Sequence, residues 1–483
     1  MAVKLLALGI YVIMIITVGI LGMRKTRSFS DYSLGGGKVG PWMSAFSYGT
    51  AYFSAVLFIG YAGKIGWGVG YSAMWIAVFN SLVGVLLVWW LLGWRIKRVT
   101  TEMQVTTLSE YLEKRYDSRL LKAISAISIF VFLIPYSAAV FQGLGFLFQQ
   151  NFDISMELAV VLIGVFTAIY LVLGGYKSMA MIDLFFGMIM VAGVVILLYF
   201  TINRGGGLEA ITRKLTEIDP GLVRPVGPPG AWPLFTLVFL TSVAPFAMPQ
   251  LVQKFYAIKD RQAVRTGMVA STVFAVLVVT IVYFVGSTTR VFVPADTQAI
   301  INPETGGLIF DNIMPVLLSR IIPDSFMVII LLLVLAASMS TLAALVLISS
   351  TSLAGDFYKG FVNRKISDTQ LTLLSRILSA VFIFLAVLFA RAQIAAIVEI
   401  LGISWGAIGS VFLGPFVWGL LVKRTEKVGA ISGAVLGLGI CLGLYFSGRP
   451  SPEAGTIGML VSLGVTPLVS AVRYAVSSRQ QKV

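Results

Sequence analysis

The run LAASMSTLAALVLISSTS, Leu335 to Ser352, places Ser338, Ser340, Thr341 and four consecutive hydroxyls, Ser349 to Ser352, inside a stretch apolar enough to cross a bilayer. On a helix Ala337, Ser340 and Thr341 fall at i, i+3 and i+4, so one carbonyl and two hydroxyls share a face. Serine and threonine in membrane helices also bond back to the i−4 carbonyl or to a neighbouring helix, and spacing alone favours that use. Neutral oxygens nevertheless suit a small hard monovalent cation such as sodium, above all where a broken helix nearby frees backbone carbonyls. Asp183, in GGYKSMAMIDLFFGMIM, stands out among the few intramembrane charges. It either steers a cation at one end of its span or caps a helix N-terminus in the headgroup zone. Glu399, Arg391 and Arg376 lie near span ends, where snorkelling accounts for them.

The elements that must position these groups are membrane helices. The 483 residues are 58% hydrophobic and only 12% charged, a composition that excludes a large water-soluble core. The net charge of +15 sits at the ends of apolar runs, as at Arg24, Lys25 and Arg27 or Arg95, Lys97 and Arg98. That pattern marks membrane anchors rather than a nucleic-acid face. With no histidine and one cysteine, Cys441, the chain excludes disulfides within itself, Cys/His zinc sites, histidine-dependent triads and histidine proton relays. The reading is therefore not an enzyme.

Runs of about 20 apolar residues give thirteen spans, near 3–23, 41–63, 71–94, 123–149, 156–175, 180–203, 233–252, 267–289, 326–353, 370–391, 396–421, 428–447 and 455–474. The first run lacks a cleavage site and is read as retained. With the N-terminus outside and the C-terminus cytoplasmic, about 25 of the 36 lysines and arginines fall inside. The longer polar loops then face out and hold short caps. The seventh span carries Pro245 and Pro249, and the second carries Gly49, Gly60 and Gly63 among hydroxyls, so both read as interrupted helices or packing kinks. Spans two to six and seven to eleven each begin with such a helix, a positional hint of an inverted repeat.

Six stretches resemble one family in order along nearly the whole chain: SLGGGKVGPW, TLSEYLEKRY, YLVLGGYKSMAMID, PQLVQKFYAIKDRQAVRTG, AASMSTLAALVLISSTSLAGDFYK and GPFVWGLLVKRTEKVGAISG. The family is the sodium:solute symporters, which includes proline, pantothenate, monocarboxylate, sialic acid and sugar carriers. The resemblance implies an all-α polytopic membrane protein with a LeuT-like 5+5 inverted-repeat core. Residues 41–203 and 233–421 would be the repeats, and 1–40 and 422–483 the peripheral helices and tail. It implies a sodium site of Ala337, Ser340 and Thr341 with backbone carbonyls at Thr50 and Phe53, and Asp183 as an accessory. The family's pattern is thinner around Asp183, where Ile182 and Phe186 replace polar residues. Tyr52 stands where proline carriers place an aspartate, which argues against proline; GTAYFSAVLFIG and EIDPGLVRPVG look most like pantothenate and carboxylate carriers. Lys254 replaces a frequent arginine.

The expected function is sodium-coupled import of a small organic solute, a carboxylate favoured, across the plasma membrane by alternating access. Proton coupling, an amino acid, sugar or sialic acid as solute, and an ion channel are the alternatives. Solute contacts are expected beside the sodium site, at Tyr52, Ser54, Gln142, Pro249 and Gln250, with Gln142 also readable as a helix-packing amide. The expected partners are the solute and the bilayer, not nucleic acid.

Overall fold

The computed structural model describes residues 2–25, 28–37 and 39–480. Arg27, assigned above as an anchor, and Lys38 of the SLGGGKVGPW stretch lie outside the described residues. Among the described residues the regular structure is all helical apart from two isolated bridges, Val39 with Ile258 and Ile301 with Leu308.

Eleven helices of the described residues are long and apolar enough to cross a membrane. The difference from thirteen has two sources. The fifth expected span is the shorter apolar helix Met156–Ile169, and the second and third run together in Val56–Met103, 48 residues long. At about 1.5 Å per residue that stretch would reach about 70 Å, over twice a bilayer core of about 30 Å. Gly70, at φ +59°, interrupts it, and Gly175, at φ +66°, likewise divides Met156–Gly205. Glycine takes this left-handed backbone without a Cβ penalty.

Both helices expected to be broken are broken. Proline explains the later one: Ala231–Val243 is followed by a 3-10 turn at Ala244–Phe246, an extended Met248, and a new helix Pro249–Ala257. Pro249 pushes Met248 out of the helical region and opens the second half at its first position. The earlier helix, Pro41–Tyr52, stops at Phe53 (φ −108°, ψ 108°), although neither Phe53 nor Ser54 is a helix breaker. The amides that restart it are capped by hydroxyls: Val56 by Ser54 Oγ at 3.2 Å, and Ala55 by the remote Ser338 Oγ at 3.1 Å. The two broken helices are tied at one end, where the Val39 amide donates to Ala257 O and the Lys259 amide to Val39 O.

At the heart of the bundle runs Asp324–Thr351, buried continuously from Leu333 to Thr351. Elsewhere in the bundle, the continuation of the first broken helix and the helix Arg261–Ser287 approach backbone to backbone. A Cβ at Gly66 would overlap the Gly286 carbonyl, and one at Gly286 would overlap that of Ala62. Gly66→Val is therefore expected to abolish monodisperse protein on size-exclusion after detergent extraction, since backbone cannot yield as a side chain does. Gly68→Ala, with open space at its Cβ, should elute normally. Loss in both, or in neither, would contradict the packing.

Candidate functional site

The break at Phe53 frees oxygen. Because Ser338 takes the Ala55 amide, Ala51 loses the partner that an unbroken helix would supply four residues on. Its carbonyl, with that of Thr50, turns toward the 324–351 helix. Thr341 Oγ1 lies 3.2 Å from Thr50 O, 3.3 Å from Ala51 O and 3.1 Å from Ala337 O. One hydroxyl carries one proton, so it satisfies one of these three carbonyls at a time. The remaining acceptors, with the Thr341 lone pairs, form a buried cluster of oxygen dipoles that suits a monovalent cation.

Ser340, on the same face, joins this cluster to Asp183. Its Oγ stands 2.8 Å from Thr50 Oγ1 and 2.6 Å from Asp183 Oδ1. Ser47 Oγ donates to Asp183 Oδ2 at 2.5 Å. Lys254 Nζ donates to Ser47 Oγ at 2.8 Å and lies 3.8 Å from the same carboxylate oxygen. All of these side chains are fully buried.

Beyond the break lies a cavity of about 30 Å³, lined by Tyr52, Phe53, Ser54, Asn80, Tyr136 and Trp405 among others, none of them charged. That is room for one or two waters, so the walls are drawn together. Tyr52 and Ser54, expected to touch solute, line it. Tyr52 also donates to Thr241 O at 2.5 Å, tying one broken helix to the other.

Of the residues read from sequence, Thr50, Ala337, Ser340, Thr341 and Asp183 converge. Phe53 sits at the break itself and turns its ring to the cavity. Asp183 does not cap a helix in the headgroup zone; its carboxylate is buried and takes two hydroxyls and an ammonium. Glu399 pairs with Lys64, Glu399 in the first turn of its helix and Lys64 in the last turn of its own. Gln142, Pro249 and Gln250 are buried and do not line this cavity, and Gln142 donates to Ala395 O at 3.4 Å. Missed by the sequence reading were the Ala51 carbonyl, Ser338 as a cap, and Ser47, whose spacing of three from Thr50 was the available signal. The four hydroxyls at 349–352 divide. Thr351 bonds back to Leu347 O at 2.7 Å, and Ser352 donates to Asp356 at 2.7 Å, which also accepts from Thr107.

The Lys64 and Glu399 pair stands near Asp311, whose Oδ2 accepts the Ile397 amide at 3.0 Å. Burial pushes the Asp311 carboxyl up to about 7 against the opposing Ile397 amide, with Glu399 adding repulsion and Lys64 relieving it.

The model of the sodium:solute symporter family matches residues 32–437. The osmoregulated proline transporter OpuE of Bacillus subtilis (strain 168) is 26% identical over 439 residues, covering 90% of this chain and 87% of that protein. A sodium/proline symporter of Staphylococcus aureus (strain bovine RF122 / ET3-1) is 27% identical over 483 residues, covering 96% and 91%. Among solved structures, a Na+-coupled sialic acid symporter in a substrate-bound outward-open state superposes with a TM-score of 0.80 at 17% identity, over 97% of this chain and 98% of that one. Mhp1, a nucleobase-cation-symport-1 family transporter in a closed conformation, gives 0.53 at 12% identity, over 92% and 95%. These two likenesses describe the fold.

Proposed function

Since the chain belongs to the sodium:solute symporter family, we propose that it imports a small organic solute against its gradient, with sodium entering at the oxygen cluster around Thr341 and the solute in the cavity beside it. Sodium is the coupling ion. The observation that carries the reading is the shared break: Thr50 and Ala51 offer carbonyls to the Thr341 hydroxyl, and Phe53 and Ser54, two to four residues on, line the cavity. A cation that draws those carbonyls together fixes the backbone against which the solute packs. Sodium thereby favours the state in which the solute site is formed, and this differential affinity is what coupling requires.

On this reading Val56–Met103 is parted at Gly70, its first part completing the crossing that begins at Pro41 and its second part making the next, and the chain crosses thirteen times. Residues 41–203 and 233–421 form two inverted repeats that rock about the site, the N-terminus lies outside, and the basic loops face the cytoplasm. One sodium moving inward gains about 2.3 kcal/mol per 100 mV, which supports roughly fifty-fold accumulation. The solute leaves as it entered, with no chemical conversion.

The cavity wall narrows the solute class. It carries aromatic rings, hydroxyls and the Asn80 carboxamide and no charged side chain, so a solute of zero net charge fits it better than an anion. A compact zwitterionic amino acid of the proline class is the first candidate, in line with the proline transporters among the relatives. With Tyr52 where proline carriers place an aspartate, the ammonium would meet neutral oxygens instead. The pantothenate-like carboxylate expected from short stretches has no support among these relatives.

The test is uptake into proteoliposomes of labelled proline, pantothenate, pyruvate, sialic acid and glucose, with and without an inward sodium gradient at constant pH. Sodium-dependent accumulation of proline, with no pantothenate or pyruvate uptake, is expected. Uptake indifferent to sodium would overturn the coupling, and accumulation of pantothenate alone would overturn the solute class.

A further inference from the structure

Resting on the sodium-coupled reading above, we propose that Lys254 is the built-in counter-charge of Asp183, and that its ammonium takes the place a second sodium ion would otherwise fill, so that the protein binds one sodium and not two.

Asp183 alone would be a strong second cation site. Its carboxylate faces the hydroxyls of Ser47, Thr50 and Ser340, an all-oxygen set with one negative charge, in a region without exposure to solvent. A carboxylate so placed demands a positive charge, and hydroxyls supply none. Lys254 supplies it from the other broken helix, donating to Ser47 Oγ at 2.8 Å and standing 3.8 Å from Asp183 Oδ2. The ammonium is held on its other sides by the Met179 sulfur at 3.7 Å and the Tyr176 ring, its centroid 5.2 Å away. Its stem is too deeply packed to snorkel toward water. A tethered ammonium is a cation that never dissociates. The sodium site at Thr341 therefore adjoins a pair of zero net charge, which leaves its affinity to neutral oxygens and lets the ion leave as readily as it arrives.

Removing the ammonium should uncover the second site. Equilibrium dialysis of detergent-purified protein against radiolabelled sodium, at ionic strength held constant with choline, is expected to give one sodium per wild-type chain. Lys254→Arg should also bind one, Lys254→Met two, and the double variant Asp183→Asn with Lys254→Met one again. Should Lys254→Met aggregate, Asp183→Asn alone provides the readout. Its unbalanced ammonium should weaken sodium binding at least tenfold, and the double variant should recover wild-type affinity; unchanged affinity in Asp183→Asn would overturn the proposal. Two sodium ions on the wild type, or one on a folded Lys254→Met, would also overturn it while leaving sodium coupling in place. A wild type that binds no sodium would instead sink the sodium reading on which the proposal rests.

Discussion

Asp183→Asn is expected to destabilise the purified protein by about 3–5 kcal/mol, the usual cost of leaving one member of a buried ion pair without its partner, and to cut uptake at low sodium. The amide has nearly the shape of the carboxylate, so the effect isolates charge. In the wild type the carboxylate accepts from Ser47 at 2.5 Å and from Ser340 at 2.6 Å while balancing Lys254. Asparagine presents a donor to one of these hydroxyls and leaves the ammonium uncompensated in a wholly buried site. A thermal-unfolding curve in detergent, followed by tryptophan fluorescence, measures the first effect. Sodium titration of uptake measures the second. An unshifted melting curve would show that Lys254 has another counter-charge, which the geometry does not provide.

Thr341→Ala and Ser340→Ala should each raise the half-saturating sodium concentration of uptake by about tenfold. That corresponds to about 1.4 kcal/mol, the order of one lost polar contact. Thr341→Ala removes the oxygen that the carbonyls of Thr50, Ala51 and Ala337 surround. Ser340→Ala removes the bridge between Thr50 and Asp183, so it should add a loss of thermal stability. At saturating sodium both variants should approach wild-type solute affinity, because neither side chain lines the cavity. Uptake curves that keep the wild-type half-saturation would remove these hydroxyls from the cation site. A change confined to solute affinity would move them to the solute site instead.

The hydroxyl face at 337–341 was legible because helical periodicity alone brings i, i+3 and i+4 together. The break near residue 247 was legible because proline forbids the regular helix locally. The partners of Gln142 and Glu399 were not legible for the opposite reason: a buried amide or a carboxylate near a span end has many physically acceptable partners. Which one it meets, Ala395 O for the first and Lys64 for the second, depends on how separate helices are set against each other.

Composition, the spacing of apolar runs and the absence of histidine determined by themselves that this chain lives in a bilayer, that its backbone is helical, and that neutral oxygens and a few buried charges must do its work. Only the tertiary structure decided that the first broken helix opens at Phe53, that Ala51 rather than Phe53 turns a carbonyl to Thr341, and that Lys254 neutralises Asp183. Each of these is settled by a contest for a single donor or charge between residues far apart in the chain. Ser338 takes an amide 283 positions away, and Ser340 reaches a carboxylate 157 positions away. Local pattern fixes what a residue can offer; packing decides which partner claims it.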